Sequence, residues 1–187
     1  MRHGEPVGGR RYRGHIDDSL SEKGWQQMWS SFEASGQWDQ IVCSDLKRCA
    51  DFADEISQRF NIPCDKEPLL REISFGTWEG RTADEINTEE PGAVERFKLD
   101  PVNFQPEGAE PLDLFEARVL SAWNCIVEKY QGKRILVIGH AGQIRMVLRI
   151  NFGIALDGMF RLDFPNASIT RLIINHDPQM VRLLLHT

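Results

Sequence analysis

The chain has 187 residues, 41% of them hydrophobic, and carries 22 Lys and Arg against 28 Asp and Glu, a net charge of -6. That length suits one domain, 1–187, with a single sizeable core, and the acidic balance without a long basic run excludes a protein whose main partner is nucleic acid or an anionic membrane. No apolar run of about eighteen residues and no secretory h-region occurs, and Cys43, Cys49, Cys64 and Cys125 form no C-x-x-C pair, so buried or incidental thiols in a cytoplasmic protein are expected.

Residues 2 to 20 carry Gly4, Pro6, Gly8, Gly9 and Gly14 and keep no period of 2 or 3.6, which predicts a loop. Its cluster Arg10-Arg11-Tyr12-Arg13 is either a solvated basic stretch or a mouth that attracts anions. Ser21 is a candidate N-cap for a helix to about Ser35, with Trp25, Met28, Trp29 and Phe32 as its apolar face. Ile41-Val42-Cys43 reads as a short buried strand feeding a helix through Ala50, Phe52, Ala53 and Ile56 to Phe60. That junction places Arg48 at the strand's carboxyl end, where ligands bind in open α/β sheets, although this segment alone favours a surface residue of the helix's first turn.

Beyond Asn61-Ile62-Pro63, Pro68 to Glu72 reads as a strand or extended segment, Phe75 to Gly80 as an aromatic turn, and Thr82 as the cap of a short helix through Ile86. Pro91, Pro101, Pro106 and Pro111 stand among scattered apolar residues, so a lid around 80–111 that carries substrate selectivity is expected rather than sheet. The strongest helical period runs from Pro111 to Tyr130 through Phe115, Val119, Ala122, Trp123 and Ile126, and Gly132 stops it. Arg134 to Gly139 is an aliphatic run of the kind buried on both faces of a parallel sheet. A helix from Gly142 to about Asn151 follows, with Ile144, Val147 and Leu148 inward. Two terminal strands, Ser168 to Ile174 and Met180 to Leu185, flank a turn at Asn175-His176-Asp177-Pro178. Strand and helix alternate, so the fold class is α/β, a mostly parallel central sheet with helices on both faces.

Chemistry concentrates in two stretches, Arg2-His3-Gly4-Glu5 and Ile138-Gly139-His140-Ala141-Gly142. His15, His176 and His186 read as ordinary surface or core histidines, whereas His3 and His140 lie next to glycines in loops, and His140 ends a buried strand. Two facing imidazoles beside arginines suit phosphoryl transfer, one ring accepting the phosphoryl group while its surroundings neutralise the oxygens. Zinc would be the alternative for two histidines and a carboxylate, but there is no H-E-x-x-H and no short-range ligand pair, so neither metal nor cofactor is expected.

Five ordered blocks follow the same pattern: Arg2 to Glu5, Gly14 to Ser21 with Gly24, Ser44 to Ala50, Leu70 to Gly80, and Ile138 to Arg145, with Asn166 to Ile169 closing the series. Together they resemble the histidine phosphatase superfamily, with its phosphoglycerate-mutase-like fold, over essentially the whole chain. The resemblance implies that His3 is the nucleophile that becomes phosphohistidine, that Arg2, Arg48 and His140 surround the phosphate, and that Glu72 is the proton donor. Glu79, Glu5 and Asp17 are rival acids ranked below Glu72, and Tyr12, Gly14 and Ala141 are expected to line the substrate pocket. Arginine forks suit phosphate oxygens, and a protonated Glu72 calls for burial beside Phe75 or Trp78.

Three departures sharpen that expectation. The family's short buried strand ahead of R-H-G is missing before Arg2, so further apolar residues are expected there, or something else fills the slot. Gly9 stands where mutases have a phosphate-binding asparagine, and the chain lacks the length of their extra segment; both favour a phosphatase over a mutase. Phe75-Gly76-Thr77-Trp78-Glu79-Gly80 and Gly139-His140-Ala141-Gly142 look most like the α-ribazole-5′-phosphate phosphatases of cobalamin biosynthesis, whose relatives act on sugar phosphates. A small phosphorylated metabolite is the expected partner, a homodimer stays open, and the alternative of another class is a phosphate-binding regulatory protein without turnover.

Overall fold

In the computed structural model, residues 1–174 and 181–184 are described. The expected turn at Asn175 to Pro178, the ends of the last strand at Met180 and Leu185, and His186 lie outside the described residues. The two aliphatic runs of the sequence become neighbours: β1 (Gln40–Cys43) lies between β2 (Cys64–Lys66) and β3 (Ile135–Ile138), all three parallel, with Ile41 opposite Cys64 and Leu136.

Alternation along these strands sends side chains to two different helix layers. Ile41, Cys43, Leu136 and Ile138 pack with Met28 and Phe32 of α1 (Glu22–Ala34) and Phe52 and Ile56 of α2 (Lys47–Phe60). Val42, Ile135 and Val137 pack with Ala122 and Ile126 of α5 (Leu112–Lys129) and with Tyr130. The sheet is therefore covered on both faces, as an all-parallel sheet must be. Residues 1–3 run along the free edge of β3, where a first strand would lie: the His3 amide donates to the Gly139 carbonyl at 2.9 Å, and the Gly139 amide to the Met1 carbonyl at 3.0 Å.

Local signals place most ends. The Ser21 hydroxyl accepts from the Gly24 amide and opens α1, and Thr82 with Glu85 forms a capping box on α3 (Ala83–Glu89). Some expectations change. Pro68 to Leu70 is a 3-10 turn rather than a strand, since Glu67 caps the Leu69 amide and turns the chain. Residues 80–111 hold, beyond the expected Thr82-capped helix α3, a second helix α4 (Ala93–Leu99), and Ile86, Ala93, Val94 and Phe97 of the pair enclose Trp78 in a small core of their own. Cys125 is exposed, whereas Cys43 and Cys49 are buried. The strand expected from Ser168 is only β4 (Arg171–Ile173), paired antiparallel with β5 (Arg182–Leu184), because the Ser168 carbonyl already accepts the Arg2 amide. Among the described residues no helix is long and apolar enough to cross a membrane.

Candidate active site

Two strand-to-helix junctions lie side by side at the carboxyl ends of β1 and β3, and the start of the chain joins them there. After β1 the chain enters α2, whose first turn carries Arg48; this guanidinium is 1% exposed and donates to the carbonyls of Ile16 and Gly14, both at 2.8 Å. After β3 come Gly139 and His140, then α6 (Ala141–Phe152). The pairing of residues 1–3 with β3 sets His3 beside His140, with ring centroids 5.3 Å apart and planes tilted by 60°.

The His3 Nδ1 lies 2.7 Å from the Gly4 carbonyl oxygen. A carbonyl can only accept, so the proton is on Nδ1 and the lone pair is on Nε2. Gly4 is needed at that point, because a Cβ there would meet the Gly24 carbonyl oxygen at 2.2 Å. The helix-start residue Gly24 and the loop residue Gly4 thus touch backbone to backbone, and the contact fixes the carbonyl that orients the imidazole.

Both rings are buried, and both titrate well below the ordinary histidine value of 6.5. For His3 the causes are desolvation, then the charges of Arg48 and Arg2; for His140 they are desolvation, then Arg48 and His3. Each imidazole is neutral at neutral pH. Burial likewise lowers the Arg2 and Arg48 guanidinium groups from their ordinary value. Arg2 donates to the Phe164 carbonyl, and the Nε atoms of Arg2 and Arg48 and Nδ1 of His140 are buried without a hydrogen-bond partner among the described residues. Unpartnered buried polar atoms are costly, and three of the six found among the described residues lie in this positively charged corner.

Glu72 reaches this corner from the loop after the 3-10 turn. Its Oε2 accepts the Gly142 amide in the first turn of α6, and its Oε1 accepts the Ile73 amide, both at 3.1 Å. A Cβ on Gly142 would meet Oε1 at 2.2 Å, so the glycine two residues after His140 makes room for the carboxylate. The apolar wall expected around Glu72 is not what holds it: Trp78 packs away with Ile86 and Phe97, and backbone amides grip the carboxylate.

The rival acids have other work. Glu79 Oε1 accepts from the Ser74 hydroxyl and the Phe75 and His15 amides, Asp17 accepts the Lys47 amide at the start of α2, and Glu5 pairs with Lys23 at 2.9 Å. Tyr12 is half-buried, edge-on to Phe75 and Trp78. Ala141 is the first residue of α6, next to His140. Gly14 contributes through its carbonyl, which holds Arg48.

Two arginines that sequence reasoning did not single out belong to the same neighbourhood. Arg118 on α5 donates to the carbonyls of Leu69, Arg71 and Glu72 while pairing with Glu110, and so ties down the loop that carries Glu72. Arg145 on α6 donates through Nε to the Leu162 carbonyl at 2.9 Å, and its charge is felt by Arg2 and Tyr12. An arginine between the inward-facing Ile144 and Met146 was the available signal for the second; nothing local marks the first. Among the described residues no three His, Cys, Asp or Glu side chains converge as a metal site.

The family model of the histidine phosphatase superfamily (branch 1) matches residues 1–186. The bifunctional protein Rv2228c of Mycobacterium tuberculosis is 30% identical over 175 residues, covering 91% of this chain and 48% of that protein. The chain thus spans about half the length of the first curated relatives it matches. Phosphoserine phosphatase 1 of Hydrogenobacter thermophilus is 28% identical over 174 residues, 90% of this chain and 82% of that one. The solved structure of a mycobacterial glucosyl-3-phosphoglycerate phosphatase with VO3 superimposes with a TM-score of 0.86 at 28% identity, covering 100% of this chain and 95% of the other.

Proposed function

The chain belongs to the histidine phosphatase superfamily, and from that premise we propose that it is a phosphomonoester hydrolase working through a phosphohistidine on His3. The observation that carries this reading is the His3 Nδ1 to Gly4 hydrogen bond, which leaves the Nε2 lone pair beside His140, Arg2 and Arg48. The Nε2 lone pair attacks phosphorus as the ester P–O bond breaks, and the departing alkoxide takes a proton from the Glu72 carboxyl, giving an alcohol and a phosphoenzyme. Water then gives a proton back to Glu72 and attacks phosphorus, the P–N bond breaks, and inorganic phosphate leaves. Arg2, Arg48 and His140 hold the oxygens through both steps, which is most of what a loose phosphoryl-transfer transition state requires. Neutral imidazoles suit both duties, since a protonated His3 has no lone pair to offer.

The substrate is a small phosphorylated metabolite. α-Ribazole-5′-phosphate is the candidate supported by the aromatic turn at Phe75 to Gly80, with phosphoserine and phosphoglycerate esters as rivals supported by the relatives' names. Gly9, with nothing within 4 Å of where its Cβ would stand, offers no side chain to a phosphate and sets the mutase alternative lower. The deciding experiment is trapping of an acid-labile phosphoenzyme together with a screen of phosphorylated metabolites that includes all three. Phosphate binding without turnover or phosphoenzyme would replace this proposal with the regulatory one, and activity lost to chelators and restored by zinc would replace it with metal hydrolysis.

A further inference from the structure

All five N–H groups of the Arg118 guanidinium are in use, and they converge on the chain around Glu72. Nε donates to Glu110 Oε1 at 2.6 Å and Nη2 to Glu110 Oε2 at 2.8 Å, a two-pronged pair in which both side chains are only 16% exposed. The other three go to main-chain carbonyls, Nη1 to Leu69 and Arg71 at 2.7 Å and Nη2 to Glu72 at 2.9 Å. The Phe115 ring, with its centroid 4.7 Å from the guanidinium carbon, leaves the group little freedom to turn. Glu110 is fastened in its turn: its Oε2 accepts the Ser74 amide at 3.3 Å, and its own amide donates to the Ser74 carbonyl at 3.0 Å. Arg118 and Glu110 thus grip the main chain on both sides of Glu72. The carboxylate itself is held by two amides, but that of Ile73 is its chain neighbour and moves with it; only the Gly142 amide ties it to α6 and His140. The His15 ring, 3.0 Å from the Glu72 carbonyl, adds a contact from an exposed side chain. Where the Glu72 carboxyl stands relative to the two imidazoles therefore depends on where Arg118 holds residues 69–72.

We infer that Arg118, clamped by Glu110, is a positioning residue for proton transfer to the leaving group: it fixes the main chain of residues 69–72 and through it the Glu72 carboxyl. The inference rests on the phosphatase reading of Glu72 and adds to it the residue that sets the acid in place. In the assisted step the bond from His3 Nε2 to phosphorus forms, the ester P–O bond breaks, and the Glu72 proton passes to the departing oxygen. A displaced carboxyl leaves attack by His3 intact and slows only esters whose leaving oxygen needs that proton. Misplacing a reacting group by about 1 Å costs on the order of 10²-fold in rate.

The test uses Arg118→Lys, which keeps the charge but replaces the planar fork by a single nitrogen. It should lower kcat on glycerol 3-phosphate by about tenfold to a hundredfold and on p-nitrophenyl phosphate by less than about threefold. Glu110→Gln should show the same pattern more weakly. With Glu72→Gln already in place, Arg118→Lys should cost little more on either ester. Arg149→Lys loosens the Glu116 pair, which does not touch this loop, and controls for general loss of stability; its effect should not depend on the leaving group. Amide exchange followed by NMR gives a readout independent of turnover: relative to the Ile41 amide of β1, the Gly142 amide should exchange about tenfold faster in Arg118→Lys than in the wild type. Equal losses on both esters, losses that add fully to those of Glu72→Gln, or unchanged Gly142 exchange would each overturn the inference. A wild-type protein that turns over neither ester would end the phosphatase reading instead, and the Gly142 exchange would then decide alone whether Arg118 holds Glu72 in place.

Discussion

The floor of the site and its roof are held by different kinds of contact. On the floor, Arg48 is gripped by two carbonyls, His3 by the carbonyl next to it, and Glu72 by two amides. The roof, residues 75–111, is stitched at its base by main-chain hydrogen bonds, Gly80 to Tyr12 at 2.7 Å and Tyr12 to Arg81 at 2.8 Å, but its helices are held by aromatic contacts, Phe97 against Trp78, Phe75 and Phe160, and by exposed ion pairs such as Arg81 with Glu89 and Arg96 with Glu90. Exposed pairs contribute little, about 1 kcal/mol at most. Main-chain anchors survive side-chain change at neighbouring positions, whereas an aromatic cluster repacks with each substitution. We propose that the floor fixes the chemistry and that the roof decides which alcohol is accepted.

The most damaging break is on the floor. His3→Ala should abolish phosphoenzyme formation and cut turnover by about 10⁴-fold or more, the usual scale for a lost nucleophile. Residual phosphoenzyme in that variant would mean the phosphate is carried elsewhere. Smaller, and dependent on the substrate, is Glu72→Gln: about 10²- to 10³-fold on an alkyl phosphate but far less on an aryl phosphate, whose leaving group needs little protonation. Equal losses on both would remove Glu72 as the acid, and the floor would lack an assigned proton donor.

The same division governs how much could be read from the sequence. His3 and His140 could be singled out because each lies beside a glycine and His140 ends a buried strand, and the ordered blocks carried Arg2, Arg48 and Glu72 with them. Both aliphatic strands were legible, since runs such as Ile135 to Ile138 suit burial on two faces. Within 80–111 the Thr82-capped helix was legible, but α4 was not: prolines mask the period, and Val94 and Phe97 acquire meaning only when Trp78 arrives from an earlier turn. Arg118 was invisible for a related reason, because its work is hydrogen bonding to carbonyls 46 to 49 residues away. What holds Glu72 was misjudged because two backbone amides grip its carboxylate, Ile73 beside it and Gly142 from α6, while Trp78 packs with Ile86 and Phe97.

A milder change tests the roof. Phe97 is 1% exposed and touches Phe160, the ring beneath Arg145. Phe97→Leu should cost about 1 kcal/mol of stability as a tolerated apolar exchange. It should raise KM for the preferred metabolite severalfold and alter turnover of an aryl phosphate much less. If both substrates suffer alike, the roof takes part in the chemistry and the division between the two regions fails.

The change with the smallest effect on turnover concerns the acid stability of the floor. In the unfolded chain His3 and His140 take up protons near the ordinary value of 6.5, while in the folded protein burial and the nearby guanidinium charges keep both neutral to well below it. Between those limits the unfolded state binds more protons, so stability is highest above 6.5 and falls as pH drops below it, flattening only once the folded-state values are passed. Each imidazole should remove about 1 kcal/mol per pH unit in that window. Thermal unfolding followed from pH 7.5 downward should show this decline, and His140→Asn should make it shallower. Adding inorganic phosphate should also flatten it, because a bound anion offsets Arg2 and Arg48 and lets the folded protein hold protons on the same rings. Roof substitutions such as Phe97→Leu should shift the whole curve without changing its slope. A slope untouched by both His140→Asn and phosphate would show that the acid sensitivity lies outside the two histidines, and the floor would lose its distinguishing electrostatic signature.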